Sequence, residues 1–339
     1  MFRLLKNTAW FSVGFVILVW GMTFANTRAL LDDFSPLEIL LLRFTLAWVV
    51  LSLDSLFGFS RRAAEGAEKN PKTGAFCRIE RVGDGKEKTV RRIPWRDEVV
   101  FAAMGLTGIA LYQFLENCAI GYTNASNVAI LVSFGPILTA LLAWFFTQDR
   151  SLSLRFFAGT GIAIAGVVLV SVDGVVNIHF HPAGDAMAFG AMVTWAGYSV
   201  LMDIANRRDY SQVMVMRKAF FWSLVLLAPF AVWGATENGA YALDGFLRVS
   251  LDARLNAVRF GDAMNWLNLG FLGVLASALC FVMWNRACRS LGVVRTSVSL
   301  YLTPIVGALF AMLFLGEHVT LMGALGGAVI LAGVAIAGR

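Results

Sequence analysis

Residues 294–338, VRTSVSLYLTPIVGALFAMLFLGEHVTLMGALGGAVILAGVAIAG, read as two apolar helices joined by a turn at Gly316-Glu317-His318. Each helix is about 20 residues, enough to cross about 30 Å of hydrocarbon at about 1.5 Å per residue. Pro304 sits inside the first, and the second is rich in glycine. Residues 126–170, SNVAILVSFGPILTALLAWFFTQDRSLSLRFFAGTGIAIAGVVLV, carry the same pattern. At a separation of 168, Pro136 falls on Pro304, Asn117 on Asn285, Ala143 on Ala311, Asp149 on Glu317 and Gly159 on Gly327. At a separation of 175, Trp20 falls on Trp195 and Arg43 on Lys218. One unit has been used twice, and a repeated bundle of membrane helices is the usual plan of secondary transporters.

Composition agrees with a membrane protein. The chain is 58% hydrophobic and 15% charged, with a mean hydropathy of +0.70, where a soluble domain carries nearer about 25% charge. The pattern therefore predicts an all-α integral membrane protein with ten spans at 9–31, 37–59, 97–120, 125–147, 154–173, 185–206, 211–235, 264–286, 294–315 and 319–338. The N-terminal run is too long for a signal peptide and lacks a small-residue cleavage site, so it is taken as the first span. Residues 60–96, with eleven Lys/Arg and five Asp/Glu, lack helical periodicity and read as a flexible loop. Residues 236–263 read as a longer link with a short surface helix around 246–260. Placing the N-terminus in the cytoplasm puts 21 Lys/Arg on the cytoplasmic side and 4 outside, which predicts a multi-pass protein of the cytoplasmic (inner) cell membrane with both termini inside. Five spans per half is odd. The halves, 1–173 (with the 60–96 insertion) and 185–339, should therefore be inverted copies about an axis in the membrane plane.

Polar side chains inside spans are the candidate site. Arg43 suits an anionic group of a solute, or else pairs with Glu116 at a similar depth. Gln113, Glu116 and Asn117 share one helical face, which should look into the bundle, and Glu116 could carry a proton. Pro136 and Pro304 remove a helix hydrogen bond and bend the chain. Ser133, Ser299, Tyr301 and Thr303 beside them either line a cavity or satisfy the freed carbonyls. Trp20, Tyr112, Trp195, Tyr198 and Trp284 lie well inside spans, unlike Trp10 and Trp95, and offer flat amphipathic walls or packing. Helices one, three, four, six, eight and nine should line the cavity. Gly323-xxx-Gly327 and the glycines of 159–166 point to close packing or a homodimer, and Arg217 and Lys218 to snorkelling at the inner surface. The four cysteines show no metal spacing. His179 and His181 make a weak metal pair. Nothing matches a nucleotide-binding loop or a nucleophile–base motif.

These residues resemble the drug/metabolite transporter superfamily, and within it the EamA-like ten-helix members. The resemblance rests on Trp20-Gly21, Pro36, Arg43, Pro136, Asp149 and the glycines at 159, 161 and 166, repeated as Trp195-Ala196, Pro304, Gly316-Glu317 and the glycines at 323, 327 and 333. It covers nearly the whole chain, with two departures: the 60–96 insertion is long, and Gln148-Asp149 stands where Gly-Glu is typical. The resemblance implies a non-enzymatic carrier, without cofactor, that exports small metabolites such as amino acids, related amphipathic compounds or drugs. Its expected partners are a small-molecule solute and the lipid bilayer, with protons as a coupling ion and no nucleic acid. The readings from other classes are a membrane enzyme or lipid-handling protein, and a sensor using the 60–96 loop.

Overall fold

The computed structural model describes residues 2–57, 77–81, 87–91, 93–122, 125–147, 153–171, 181–208, 210–314 and 321–338. The Gly316-Glu317-His318 turn, Asp149, His179 and most of the 60–96 insertion lie outside them. The helices that matter are α1 (Phe2–Leu30), α2 (Pro36–Phe57), α3 (Trp95–Tyr122), α4 (Ala125–Val132 and Gly135–Thr147), α5 (Leu154–Ser171), α6 (Pro182–Asn206), α7 (Gln212–Gly234), α8 (Ala263–Leu291), α9 (Val293–Val298, a tighter turn Ser299–Leu302, then Thr303–Phe314) and α10 (Leu321–Ala337). Among the described residues nine of these are long and apolar enough to cross a membrane, and α10, at 17 residues, is a shorter apolar helix. The protein is an all-helical membrane bundle.

Two expectations need correction. The insertion holds a two-stranded antiparallel hairpin, β1 (Cys77–Arg81) and β2 (Glu87–Arg91), with Ile79 opposite Thr89. The signal was a Gly83-Asp84-Gly85 turn between short runs containing Ile79, Thr89 and Val90, which a search for helical period alone passes over. The surface helix begins at Ala253, where Asp252 accepts from the backbone nitrogens of Arg254 and Leu255; the preceding 246–252 is not helical.

The repeat is written into the irregularities of the helices. α3 widens into a π-helical stretch over Gly105–Leu111 and α8 does so over Phe271–Leu279. These stretches coincide at the 168-residue separation. α4 breaks at Ser133–Phe134, and α9 tightens at the corresponding Tyr301–Leu302. Pro136 and Pro304 each then sit in the first turn of a restarted helix, where a missing N–H costs nothing. The expected mid-helix kink is therefore a break and a restart. The halves also interlock. Gly105 in α3 meets the α7 backbone at Ala219, while Gly273 in α8 meets the α2 backbone at Arg43. α5 and α10 cross antiparallel through a glycine seam; a Cβ on Gly159 would lie 2.4 Å from the backbone nitrogen of Ala337, and one on Gly166 2.6 Å from that of Ile330. The close packing expected of the glycines is thus within the chain, at Gly326 and Gly333. Gly327 is only at 4.0 Å from its nearest neighbour by the same measure.

The bundle has two ends. The far end carries Leu30, Pro36, Tyr122 and Ser171; the N-terminal end carries Trp95, Thr147, Asn206 and Leu291. At the far end the buried Glu38 carboxylate receives Arg259 through two bonds of 2.9 and 2.8 Å, plus the backbone nitrogens of Ser35 and Ser250. Arg259 also covers the Phe34 ring at 4.6 Å. At the N-terminal end Asp97 pairs with Arg208 and accepts from Tyr210 at 2.5 Å. Lys218, partly exposed, reaches Glu98 in the first turn of α3 at 2.9 Å.

Candidate substrate cavity

A cavity of about 450 Å³ runs from mid-bundle toward the far end. Its wall is built by the irregular segments. Trp20, Thr23 and Thr27 come from α1, Arg43 from α2, and Tyr112, Gln113, Glu116 and Asn117 from the turns after the α3 π stretch. Ser133 and Pro136 flank the α4 break, and Tyr301, Thr303 and Pro304 flank the α9 tightening. Trp195 of α6 and Phe281 of α8 close the inner end. The expected helices one, three, four, six, eight and nine are all present. α2 joins them through Arg43, and α5 through Val167, Val170 and Ser171. The α5 contribution was not visible in sequence, because two of its residues are valines and the third is a serine at the helix end.

Two polar systems face this space. The buried Arg43 donates from Nη1 to Gln113 Oε1 at 2.9 Å and from Nε to Ser277 Oγ at 3.1 Å. Ser277 was missed, being one hydroxyl in an otherwise apolar run. Glu116 accepts from the Tyr112 hydroxyl at 2.8 Å, one helical turn away. Arg43 and Glu116 therefore do not form the direct ion pair weighed from their depths. Each is held instead by neutral partners, on the same cavity wall.

The aromatic part is a cluster around the two corresponding tryptophans. Trp20 and Trp195 meet edge to face with centroids 5.7 Å apart, and the Trp20 indole donates to the Ala276 carbonyl at 3.0 Å. Tyr112 leans on Trp195 at 5.0 Å and Phe281 on Trp20 at 5.5 Å. Two residues of one type that correspond in the halves and touch must lie near the axis relating those halves. The Ser133 hydroxyl donates to the Ile130 carbonyl at 2.5 Å, so it serves the broken backbone while its residue borders the cavity. Tyr198 and Ser299 are not in the wall. Tyr198 lies behind Trp195 and donates to Asn285 at 2.9 Å; Ser299 is buried in the α9 turn. Trp284 is also buried, its ring tilted against Trp20 with centroids 5.3 Å apart.

Comparison with known proteins bears on what such a bundle is. The profile of the EamA-like transporter family matches residues 9–172 and again 182–339. A "Probable terminal-alkyne amino-acid exporter" of Streptantibioticus cattleyicolor is 29% identical over 250 residues, 74% of this chain and 76% of that protein. A "Probable amino-acid metabolite efflux pump" of Escherichia coli is 24% identical over 325 residues, covering 95% of this chain and 91% of that one. A solved crystal structure superposes with a TM-score of 0.68 at 18% identity, over 98% of this chain and 96% of the other, a likeness of fold.

Proposed function

The chain belongs to the EamA-like transporter family, and from that premise we propose that it exports small amphipathic metabolites, amino acids and their relatives foremost, by alternating access about the central cavity. The observation that carries the solute class is the pairing of opposite charges with an aromatic chamber: Arg43 and Glu116 border one cavity without a direct ion pair between them, and Trp20, Trp195 and Tyr112 line the same space. A zwitterion would set its carboxylate on the Arg43 guanidinium and its ammonium on Glu116, and lay its side chain on the rings. Such a solute is costly to move through lipid unaided, and two fixed counter-charges in a chamber of low dielectric offset the loss of its hydration. The two named exporters among the relatives support the same class.

The charge asymmetry of the loops supports cytoplasmic termini, an orientation in which the far end with its cavity faces outward. Glu116 is the group on which proton exchange would act: protonated, it releases an ammonium, and ionised, it holds one. The direct test is counterflow of radiolabelled amino acids in proteoliposomes, beside a tolerance screen with amino-acid analogues in overproducing cells. Uptake by wild-type vesicles that Arg43→Ala and Glu116→Gln both weaken supports the reading. Equal activity in all three proteins removes the two residues from the site.

A further inference from the structure

The cavity occupies one end of the bundle only, and the repeat tells which residues answer to its wall at the other end. At separations of 175 and 168, Thr23 corresponds to Tyr198, Asn117 to Asn285 and Ile120 to Cys288. Thr23, Asn117 and Ile120 all line the open cavity, and Tyr198, Asn285 and Cys288 are all buried. The two ends can therefore be compared contact by contact.

Some contacts exist at both ends. Asn265 donates to Asp33 at 2.7 Å at the far end. Its counterpart is the Asp97–Arg208 pair at the N-terminal end, since Asn265 answers to Asp97 and Asp33 to Arg208. Exchange of the open and closed ends leaves such a contact in place, so it belongs to parts that move as rigid blocks. Other contacts exist at one end only. Tyr198 bonds Asn285 at 2.9 Å, joining α6 to α8. The counterparts Thr23 and Asn117 are apart: Thr23 turns its hydroxyl to its own helix at Trp20, and the buried Asn117 amide nitrogen has no partner. Likewise Val293–Val298 of α9 packs on Gly135–Thr147 of α4, sealed by Val294, Val298, Ala140 and Ala143. The corresponding Ala125–Val132 and Thr303–Phe314 both border the cavity without comparable contact.

We infer that the Tyr198–Asn285 hydrogen bond, together with the α4–α9 seal, is the closed gate of a second half-path toward the N-terminal end, and that on opening Tyr198, Asn285 and Cys288 become its wall. This rests on the carrier reading above. The closed gate is poorly satisfied as a core. The Asn285 amide nitrogen finds only the Met216 thioether, and the buried Trp284 indole nitrogen has no partner. Buried polar groups normally find strong partners. In the opened state these donors meet water or the hydrogen-bond acceptors of the solute, its carboxylate foremost. Asn117 and Thr23 close on each other in exchange.

Cys288 and a far-end reporter, Ile120→Cys, read the two ends separately. Each is carried alone in a background with the remaining cysteines replaced, and alkylation by N-ethylmaleimide in membrane vesicles is followed by intact mass. Tyr198→Phe removes one oxygen, and Asn285→Ser shortens the partner. Removing one hydrogen bond shifts a two-state balance by roughly tenfold. The gate predicts that both variants raise the Cys288 rate by about that factor and lower the rate at the far-end reporter. Arg208→Ala, in a contact common to both states, shifts neither rate in favour of one end. Unchanged rates, or rates rising together at both ends, overturn the gate. The readout needs no solute, so opposite shifts without amino-acid counterflow would keep the gate and discard the solute class.

Discussion

Arg43 is held at Nη1 by Gln113 and at Nε by Ser277, a two-point grip that a planar guanidinium can satisfy while its remaining N–H groups stay directed at the cavity. A lysine offers a single ammonium and cannot span both partners in that geometry. Arg43→Lys should keep the fold and lose about tenfold in apparent solute affinity. Arg43→Ala should lose about 100-fold, the worth of one or two charge-assisted hydrogen bonds; Km and maximal rate in proteoliposomes report both. Glu116→Gln keeps an acceptor for the Tyr112 hydroxyl but no charge. Transport by that variant should become insensitive to an imposed proton gradient, where the wild type responds. A response equal to wild type would take the proton away from Glu116. Both residues were legible in the sequence because charge inside an apolar span is conspicuous. Their actual partners were not: Ser277 is one hydroxyl among apolar neighbours, and Tyr112 offered an aromatic ring before it offered a hydroxyl.

The α5–α10 seam and the far-end ion pair carry the stability of the elements around the cavity. Gly159 and Gly166 sit where an added Cβ would run into the backbone of the facing helix, whereas a Cβ on Gly161 meets nothing within 4 Å. Gly166→Val should therefore lower the thermal midpoint in detergent by several degrees, through overpacking of about 1–3 kcal/mol. Gly161→Ala should leave it unchanged or raise it slightly, because alanine favours the helix. Arg259→Ala would strand the four-times-bonded Glu38 carboxylate, a loss of about 3–5 kcal/mol. Its midpoint should fall further than that of Gly166→Val, and Glu38→Gln/Arg259→Ala together should recover part of the loss. The glycine pattern announced a tight interface, but not that its partner was the matching helix of the other half rather than a second chain. Arg259 read as one more loop charge because its partner lies 221 residues away. The proline positions marked where α4 and α9 are interrupted; the form of the interruption, a restart with proline in the first turn, depends on packing around Ser133 and Tyr301 that periodicity does not encode.

At the scale of the whole molecule, the repeat was readable because the same residues recur at two constant offsets, and those offsets survive as matching π stretches in α3 and α8. The insertion between α2 and α3 takes the place that the α7–α8 link holds in the other half, but it shares no pattern with that link, which is why its hairpin was not anticipated. Its role in transport is read from where the cavity and the gate lie. Every residue named in the cavity or in the gate lies in the ten helices, and the hairpin pairs its strands with each other, Cys77–Arg81 with Glu87–Arg91. A two-stranded hairpin of five residues a side has little stability of its own, so the bundle gains little from it. Replacing residues 60–92 by about ten Gly/Ser residues gives a linker of roughly 17 Å root-mean-square span, ample for neighbouring helices about 10 Å apart. The replacement removes ten of the 21 Lys/Arg assigned to the N-terminal face and leaves 11 against 4, so the charge bias that sets orientation is kept. Counterflow by the shortened protein should stay within about twofold of the full chain, with a thermal midpoint within about 2 °C. Loss of transport at an unchanged midpoint would mean that the insertion acts on the carrier cycle itself.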